Sequence, residues 1–529
     1  MDSQISTISM TIENPKNQPK EETTDIEKAM EICGTGRYQY TFLLTCGMLF
    51  ICVGLQYGIN AYILPSAECD FNMRSEQKGF LNVAFLGGCV FSAFFWGIFA
   101  GVYGRRNIIL LTLFTDSILS IITSFSPSYN VFLIFRVISG FMMGAPGSLI
   151  YTYLGEFHED KSQTKSICFL GFFWPLAWLI LAGLAWIFIP LPINYEFYGI
   201  HYNSWRTFLA FIGIPTFIIA MIILLKYSES PKFLVSQGRT DEALAILRKI
   251  YAVNNRRDEN EYPVKELLSD IVLEAKKDGV SSCSIHSLTD IMKNIWRQLR
   301  TILSPPQLKY AIIVWTIYAS NMFGYYGLGL WMPELFNRFE NYQHLHPNAS
   351  VTICELSDIH PSLNLTIADE PFYLLNKECK PNIDERVFIN SLSLNAVSLP
   401  ANIISGILAS RVDRRTIPVI TMLLAGASNF GIYFMNSSQK VLMMACVSTL
   451  MLTMSNFMMA GVAVNIFPTH VAAAAVSMMI CLGRASAVAS NLIFGLLLDF
   501  TCEIPLFMLA GIVIFGGIVS FLIPNKKKK

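Results

Sequence analysis

Runs of roughly 20 apolar residues, the length a helix needs to cross a hydrocarbon core, recur about twelve times along this chain. They fall near 41–64, 79–101, 108–126, 131–154, 167–189, 206–226, 310–332, 388–409, 417–435, 441–466, 471–497 and 504–523. In lipid every backbone polar group has to be satisfied within its own segment, so runs of this length specify helices. The expected fold is an all-α membrane protein with twelve transmembrane helices in two six-helix pseudo-symmetric bundles. Composition agrees, since 53% hydrophobic against 15% charged residues is too apolar for a soluble chain of this size.

A duplicated mark supports the two halves. Gly97, Ala100, Arg105 and Arg106 recur with identical spacing as Gly406, Ala409, Arg414 and Arg415, each set where an apolar run ends. Small residues let helices approach closely, and adjacent guanidiniums stay out of hydrocarbon, so both turns are expected at one polar face. Lys161, Lys165, Arg411 and the terminal lysines Lys526 to Lys529 fall on the same face, which the positive-inside rule makes cytoplasmic. Both termini are then expected inside, in a plasma membrane or an intracellular vesicle membrane. The first forty residues lack the pattern of a cleaved signal peptide. Lys526 and Lys527 read as an inside anchor or as a dilysine retrieval signal.

The resulting plan has a cytoplasmic tail (1–40), an N-terminal bundle (41–226), a cytoplasmic linker with amphipathic helices (227–309), a C-terminal bundle (310–523) and a lysine tail (524–529). In the linker, Thr240 is expected to cap a helix through Ala243, Leu244, Leu247 and Ile250. A long outer loop spans 333–387. It holds Cys354 and Cys379, expected to form a disulfide, and the glycosylation sequons at Asn348 and Asn364.

The formal net charge of +1 excludes a broad basic surface for nucleic acid. There is no phosphate loop and no metal-type spacing of His and Cys. The chain is therefore expected not to be an enzyme and to use no cofactor or metal, its partners being a small-molecule substrate and the lipid bilayer.

Within the expected spans, away from their ends, three formal charges remain: Asp116, Arg136 and Arg484. A charge inside a bilayer is costly and usually faces a partner or a polar cavity. Arg136, ahead of Gly140 and Gly144, reads as a cavity or helix-positioning group, and Arg484 as a gate or cavity group. Asp116 is open between a protonatable transport site and a carboxylate bonded to the hydroxyls of Thr112 and Thr115. Aromatic residues form a second constellation: Trp315, Tyr325, Tyr326 and Trp331 among glycines on span seven, and Trp174 and Trp178 around Pro175 on span five. Such faces suit an apolar or sugar-like ligand, or a plain helix interface. Asn60, Asn321 and Asn465 can add neutral hydrogen bonds.

These residues carry a resemblance. The segments Gly97 to Arg106 and Gly406 to Arg415 resemble the signature turns of the major facilitator superfamily, and Glu229-Ser230-Pro231-Lys232 resembles the motif after span six in its sugar and organic-ion branches. Leu64-Pro65-Ser66-Ala67, Lys78-Gly79, Ser204-Trp205-Arg206 and Tyr325-Tyr326-Gly327-Leu328 are similar to the synaptic vesicle glycoprotein 2 family. The resemblance implies a central site between two halves that alternate access, lined by Trp174, Trp315, Tyr325 and Tyr326. It also implies a cytoplasmic gate at Arg105, Arg106, Arg414 and Arg415 with Glu156 and Glu229 as acidic partners.

The departures are specific. Gly101 and Ser410 replace the acid of each signature turn, and Val53, Gln56, Gly461 and Asn465 stand at family acidic positions on spans one and ten. Coupling to protons or another ion is accordingly not expected to be inherited. The expected function is facilitative or weakly coupled transport of a small organic solute, sugar-like or an organic ion. The competing reading is a membrane scaffold or vesicle-trafficking protein that keeps the transporter fold.

Overall fold

The computed structural model describes residues 23–71, 73–197, 200–267, 296–297, 299–305, 307–346, 351–355, 384–411, 415–467, 469–498 and 501–524. In chain order the helices are α1 (Ile26–Cys33), α2 (Arg37–Phe71), α3 (Ser75–Tyr103), α4 (Arg105–Ser124), α5 (Tyr129–Gly155), α6 (Asp160–Gly171), α7 (Phe173–Phe188), α8 (Ser204–Lys226), α9 (Pro231–Ser236) and α10 (Thr240–Asn255). They continue as α11 (Gln307–Leu345), α12 (Glu385–Ala396), α13 (Ser398–Arg411), α14 (Thr416–Ile432), α15 (Ser438–Ile466), α16 (Thr469–Leu497) and α17 (Glu503–Val519). Short strands β1 (Thr23–Thr24) and β4 (Glu266–Leu267) pair in parallel, and β2 (Asn194–Phe197) pairs antiparallel with β3 (Ile200–Asn203).

Among the described residues nine helices are long and apolar enough to cross a membrane, and α3, bent by 45°, makes a tenth. The other two expected spans are helices as well, α14 with 17 residues and α11 with 39. The chain divides into two compact units, one of Met1–Tyr40, Glu156–Ser162 and Ser230–Ser284, the other of Thr41–Gly155, Gln163–Glu229 and Ile285–Lys529.

The smaller unit gathers segments distant in sequence. Its helix α10 carries Asp241 and Glu242 in the first turn, where acids suit the helix dipole, and buries Ala243, Leu244, Leu247, Ile250 and Tyr251 on one face. Thr240 is the first helical residue and does not cap it. The N-cap is Arg239, whose guanidinium instead meets Glu242 at 2.6 and 2.7 Å. Asn254 holds this unit together. Its amide donates to the carbonyls of Cys33 and Gly34 and to Gln39, and accepts from the backbone N–H of Tyr38. Residues 26–33, expected within a tail, are thus helix α1, pinned further by the Tyr262 hydroxyl donating to Ala29 O at 2.7 Å. Burial pushes the Cys33 thiol up to about 12 against an opposing hydrogen bond with Tyr262, so the thiol stays protonated at neutral pH.

In the larger unit the closest helix approach is that of α3 and α5. A methyl group built on Gly140 would lie 2.0 Å from Phe85 O, and one on Gly88 would lie 2.2 Å from Val137 O. Only hydrogen fits at that crossing, as small-residue packing in membranes requires. At the α2–α8 end, Asp70 accepts from Asn203 at 2.8 and 2.9 Å and from Trp205 Nε1 at 2.9 Å. Arg206 lies 3.6 Å from the same carboxylate and donates to the carbonyls of Ser124 and Ser126, satisfying the C-terminus of α4.

Two sequence expectations change in the second half. The segment from 333 begins as helix, because α11 continues through Pro333 to Leu345. Cys354 is bonded to Cys502, Cα–Cα 5.3 Å, and so does not pair with Cys379, which lies outside the described residues along with Asn348 and Asn364. The partner sits 148 residues on, in the turn before α17, and sharing a loop gave no information about that proximity. Nearby, Asp384 caps α12 and meets His344. Partial burial works to raise its carboxyl, but the bonds from His344 and the backbone N–H of Arg386 outweigh it and hold the group below the usual carboxylate range. The contact is therefore kept above that range and lost as pH falls through the lowered value.

Two outcomes follow for purified protein. Gly140→Ala should lower stability by about 1–3 kcal/mol through overpacking, read as a lower thermal midpoint in detergent; an unchanged midpoint would refute the crossing. Non-reducing peptide mapping should recover Cys354 linked to Cys502, and Cys502→Ser should destabilise by about 2–5 kcal/mol.

Candidate functional site

A buried polar core joins α2, α4 and α5. Gln56 Nε2 donates to Asp116 Oδ2 at 3.0 Å and to Ser120 Oγ at 2.7 Å, and Ser139 Oγ donates to Asp116 Oδ1 at 2.5 Å. Arg136 donates to Gln56 Oε1 at 3.1 Å and Gln56 O at 3.0 Å, with its guanidinium 4.6 Å above the Phe85 ring. One glutamine thus sits between a buried acid and a buried base, both at most 1% exposed. Opposite charges that share hydrogen-bonded neighbours lower the cost of burying either. Asp116 does not bond Thr112 and Thr115. Those hydroxyls donate back to carbonyls of their own helix, as threonine does when nothing better lies in reach.

Beside this core an aromatic group spans α2, α7 and α11. Tyr57 lies 5.3 Å from Trp174 and 6.5 Å from Tyr326 between ring centroids. Trp178 lies 6.3 Å from Tyr325 and 6.4 Å from Tyr326. Trp174, Tyr325 and Arg484 keep partial exposure. Arg484, on α16, donates across the two halves to Cys89 O on α3 at 3.0 Å.

Other expected cavity residues lie elsewhere. Trp315, ten residues before Tyr325 and so about 15 Å along the helix, donates its indole N–H to Ala475 O. Asn321 is fully buried and ties α11 to α15 through Leu452 O at 3.0 Å. Asn60 likewise bonds Leu81 O. Helix-to-helix ties use the amide donors, while Asn60 Oδ1 and Asn321 Oδ1 stay buried without a partner among the described residues, and no signal in the sequence separated these residues from cavity groups. The side chain of Asn465 lies outside the described residues.

At the first arginine turn, Gly104 takes φ +94° and α4 begins at Arg105. The Glu229 carboxylate accepts from the backbone N–H groups of Arg105 and Arg106 at 3.1 Å, an acid at a helix N-terminus, and Arg106 Nη2 donates to Leu224 O at 2.7 Å. Gly97 is not a close-packing point, since open space surrounds it. Glu156 belongs to the smaller unit. In the second copy Gly406 lies on α13, Arg414 is outside the described residues, and Arg415 stacks 5.5 Å over Phe521.

The opposite end of α3 carries a charge cluster that sequence reasoning missed. Lys78 Nζ lies 2.7 Å from Glu334 Oε1 and 2.9 Å from Glu68, with the Lys78 and Glu334 side chains 1% and 3% exposed. Arg338 adds 3.1 Å to Glu334 and 2.9 Å to Ser75 Oγ. Gly79 and Gly495 meet backbone to backbone, a built methyl on Gly79 lying 2.7 Å from the Gly495 Cα. Lys78 and Glu334 stand in opposite halves, so this latch closes one end of the bundle. Ending span seven before Glu334 hid it; helical continuation past Pro333 was the signal available.

A twelve-helix bundle with a central aromatic and cationic site defines a membrane carrier fold. Residues 46–353, over half the chain, match the Major Facilitator Superfamily, and the chain belongs to that family. It is 24% identical to synaptic vesicle glycoprotein 2C of Mus musculus, over 98% of this chain and 82% of that protein, and 23% identical to human synaptic vesicle glycoprotein 2B, over 95% and 86%. Among solved structures, the E. coli xylose transporter XylE in a partially occluded inward open conformation superposes with TM-score 0.65 at 15% identity, covering 93% of this chain and 99% of XylE. A bacterial homologue of the human lysosomal transporter Spinster, inward-facing, gives 0.60 at 12% identity, over 93% and 97%. These likenesses agree with two six-helix bundles.

Removing the Glu334 charge leaves buried Lys78 with only the half-exposed Glu68 and takes the carboxylate from Arg338. Glu334→Gln should therefore open the latch end and raise maleimide labelling of a cysteine placed at Asn82, one turn below Lys78, about tenfold, the effect of ~1.4 kcal/mol on an opening equilibrium. Unchanged labelling would mean that the ion pair does not hold the halves together.

Proposed function

We propose that the chain carries a small organic solute by alternating access, moved without obligatory ion coupling through a site bounded by Tyr57, Trp174, Tyr325 and Tyr326. The observation that carries this reading is the combination of a buried latch at one end with partly exposed central aromatics and Arg484. It fits a state closed at the latch and reachable from the arginine-turn end. The inward open conformations of XylE support the same assignment, with the arginine turns cytoplasmic and the latch on the outer or luminal face. The membrane is a plasma or vesicle membrane, the latter favoured by the synaptic vesicle relatives.

Facilitative transport is favoured over proton coupling because Asp116 is already matched to Arg136 through Gln56 and accepts one further bond, from the Ser139 hydroxyl. A carboxylate so satisfied gains little from cycling its proton during transport. Counterflow in liposomes containing the full chain, tested with a panel of sugars and organic ions, should exceed empty vesicles for at least one solute. Tyr326→Ala should reduce that uptake several-fold. If no solute gives counterflow and none quenches tryptophan fluorescence, a scaffold that keeps the fold replaces the carrier reading.

A further inference from the structure

Of the three intramembrane charges, Asp116 and Arg136 share Gln56 as a common partner, whereas Arg484 has no carboxylate partner among the described residues. Its one hydrogen bond goes to Cys89 O, which leaves most of its five N–H donors unused. The groups facing it come from four helices and are all neutral: the phenols of Tyr57 on α2, Tyr151 on α5, and Tyr318 and Tyr326 on α11, with the Cys89 thiol on α3. Gly147 on α5 lies against them: the place where its side chain would begin is 3.3 Å from Val53 Cγ1, 3.8 Å from Arg484 Nη2 and 4.0 Å from the Tyr57 hydroxyl. The Trp178 indole N–H, 6% exposed as a residue, finds no partner, and the Tyr57 hydroxyl, 4% exposed, has only the weakly bonding Cys89 thiol beside it. Buried donors left open in this way mark a place where an acceptor is missing.

We propose that this centre binds an organic anion: a planar apolar body lying against Trp174, Tyr325 and Tyr326, with one carboxylate facing Arg484 and the Tyr57 hydroxyl. The inference rests on the carrier reading and narrows its substrate class. A cation inside a bilayer is costly, and a ligand carboxylate offsets that cost while filling donors that a neutral sugar-like solute would leave partly unmet. Guanidinium geometry suits a carboxylate with two parallel bonds.

The test titrates purified full-length chain with three acid and amide pairs: benzoate and benzamide, phenylacetate and phenylacetamide, 1-naphthoate and 1-naphthamide. At least one carboxylate should bind saturably and about tenfold or more tighter than its amide. Arg484→Gln should bring that ratio to about one, Arg484→Lys should retain part of it, and Gly147→Val, which adds bulk beside Arg484 and Tyr57, should weaken acid and amide alike. Equal affinity for acid and amide in the unmodified chain, or a ratio that survives Arg484→Gln, overturns the proposal. If amides bind but carboxylates are not preferred, the anion fails and the carrier reading stands. If neither series binds and liposome counterflow is also absent, both fall.

Discussion

Charge buried in a medium that cannot hydrate it governs this molecule. Each ionised group inside the bundle has to meet a partner or give up its place, because the effective penalty is several kcal/mol per ion. The structure answers in three ways. Asp116 and Arg136 are bridged through an amide within one half. Lys78 and Glu334 pair across the halves at one end. Arg484 reaches a backbone carbonyl across the middle and otherwise faces phenols. The first arrangement is fixed within a half, and the second depends on how the halves stand.

Backbone proximity enforces the same order. Where Gly140 meets Phe85 and Gly79 meets Gly495, main chains touch with no side chain between them. The first contact lies inside the N-terminal half and stiffens it, whereas the second crosses the halves and has only van der Waals and dispersion terms to hold it. A crossing contact of that kind has no polar group to satisfy, and the polar tie between the halves at this end is the ion pair beside it.

Much of the architecture was legible in the sequence because lipid admits few solutions. Twelve apolar runs specify twelve helices, and the repeated arginine turn marks two halves. Legibility faded where the determinant was a partner remote in sequence. Asp116 carried visible threonine neighbours, yet its bonds come from Gln56 and Ser139 on other helices. Cys354 had a cysteine in its own loop and bonded another 148 residues away. Pro333 resembled a helix end, but with residues 330–336 all buried the proline is tolerated and Glu334 stays in register with the core. Asn321 and Trp315 had the chemistry of ligand groups and went to ties within the second half. Residue type announced that a polar group needed a partner, and only the fold decided which one.

The covalent cross-link between Cys354 and Cys502 joins the short helical turn at 353–355, beyond α11, to the threshold of α17, both inside the second half. Both ends of the staple lie in one half, so the bond restrains that half alone and sets no covalent limit on the distance between the two halves.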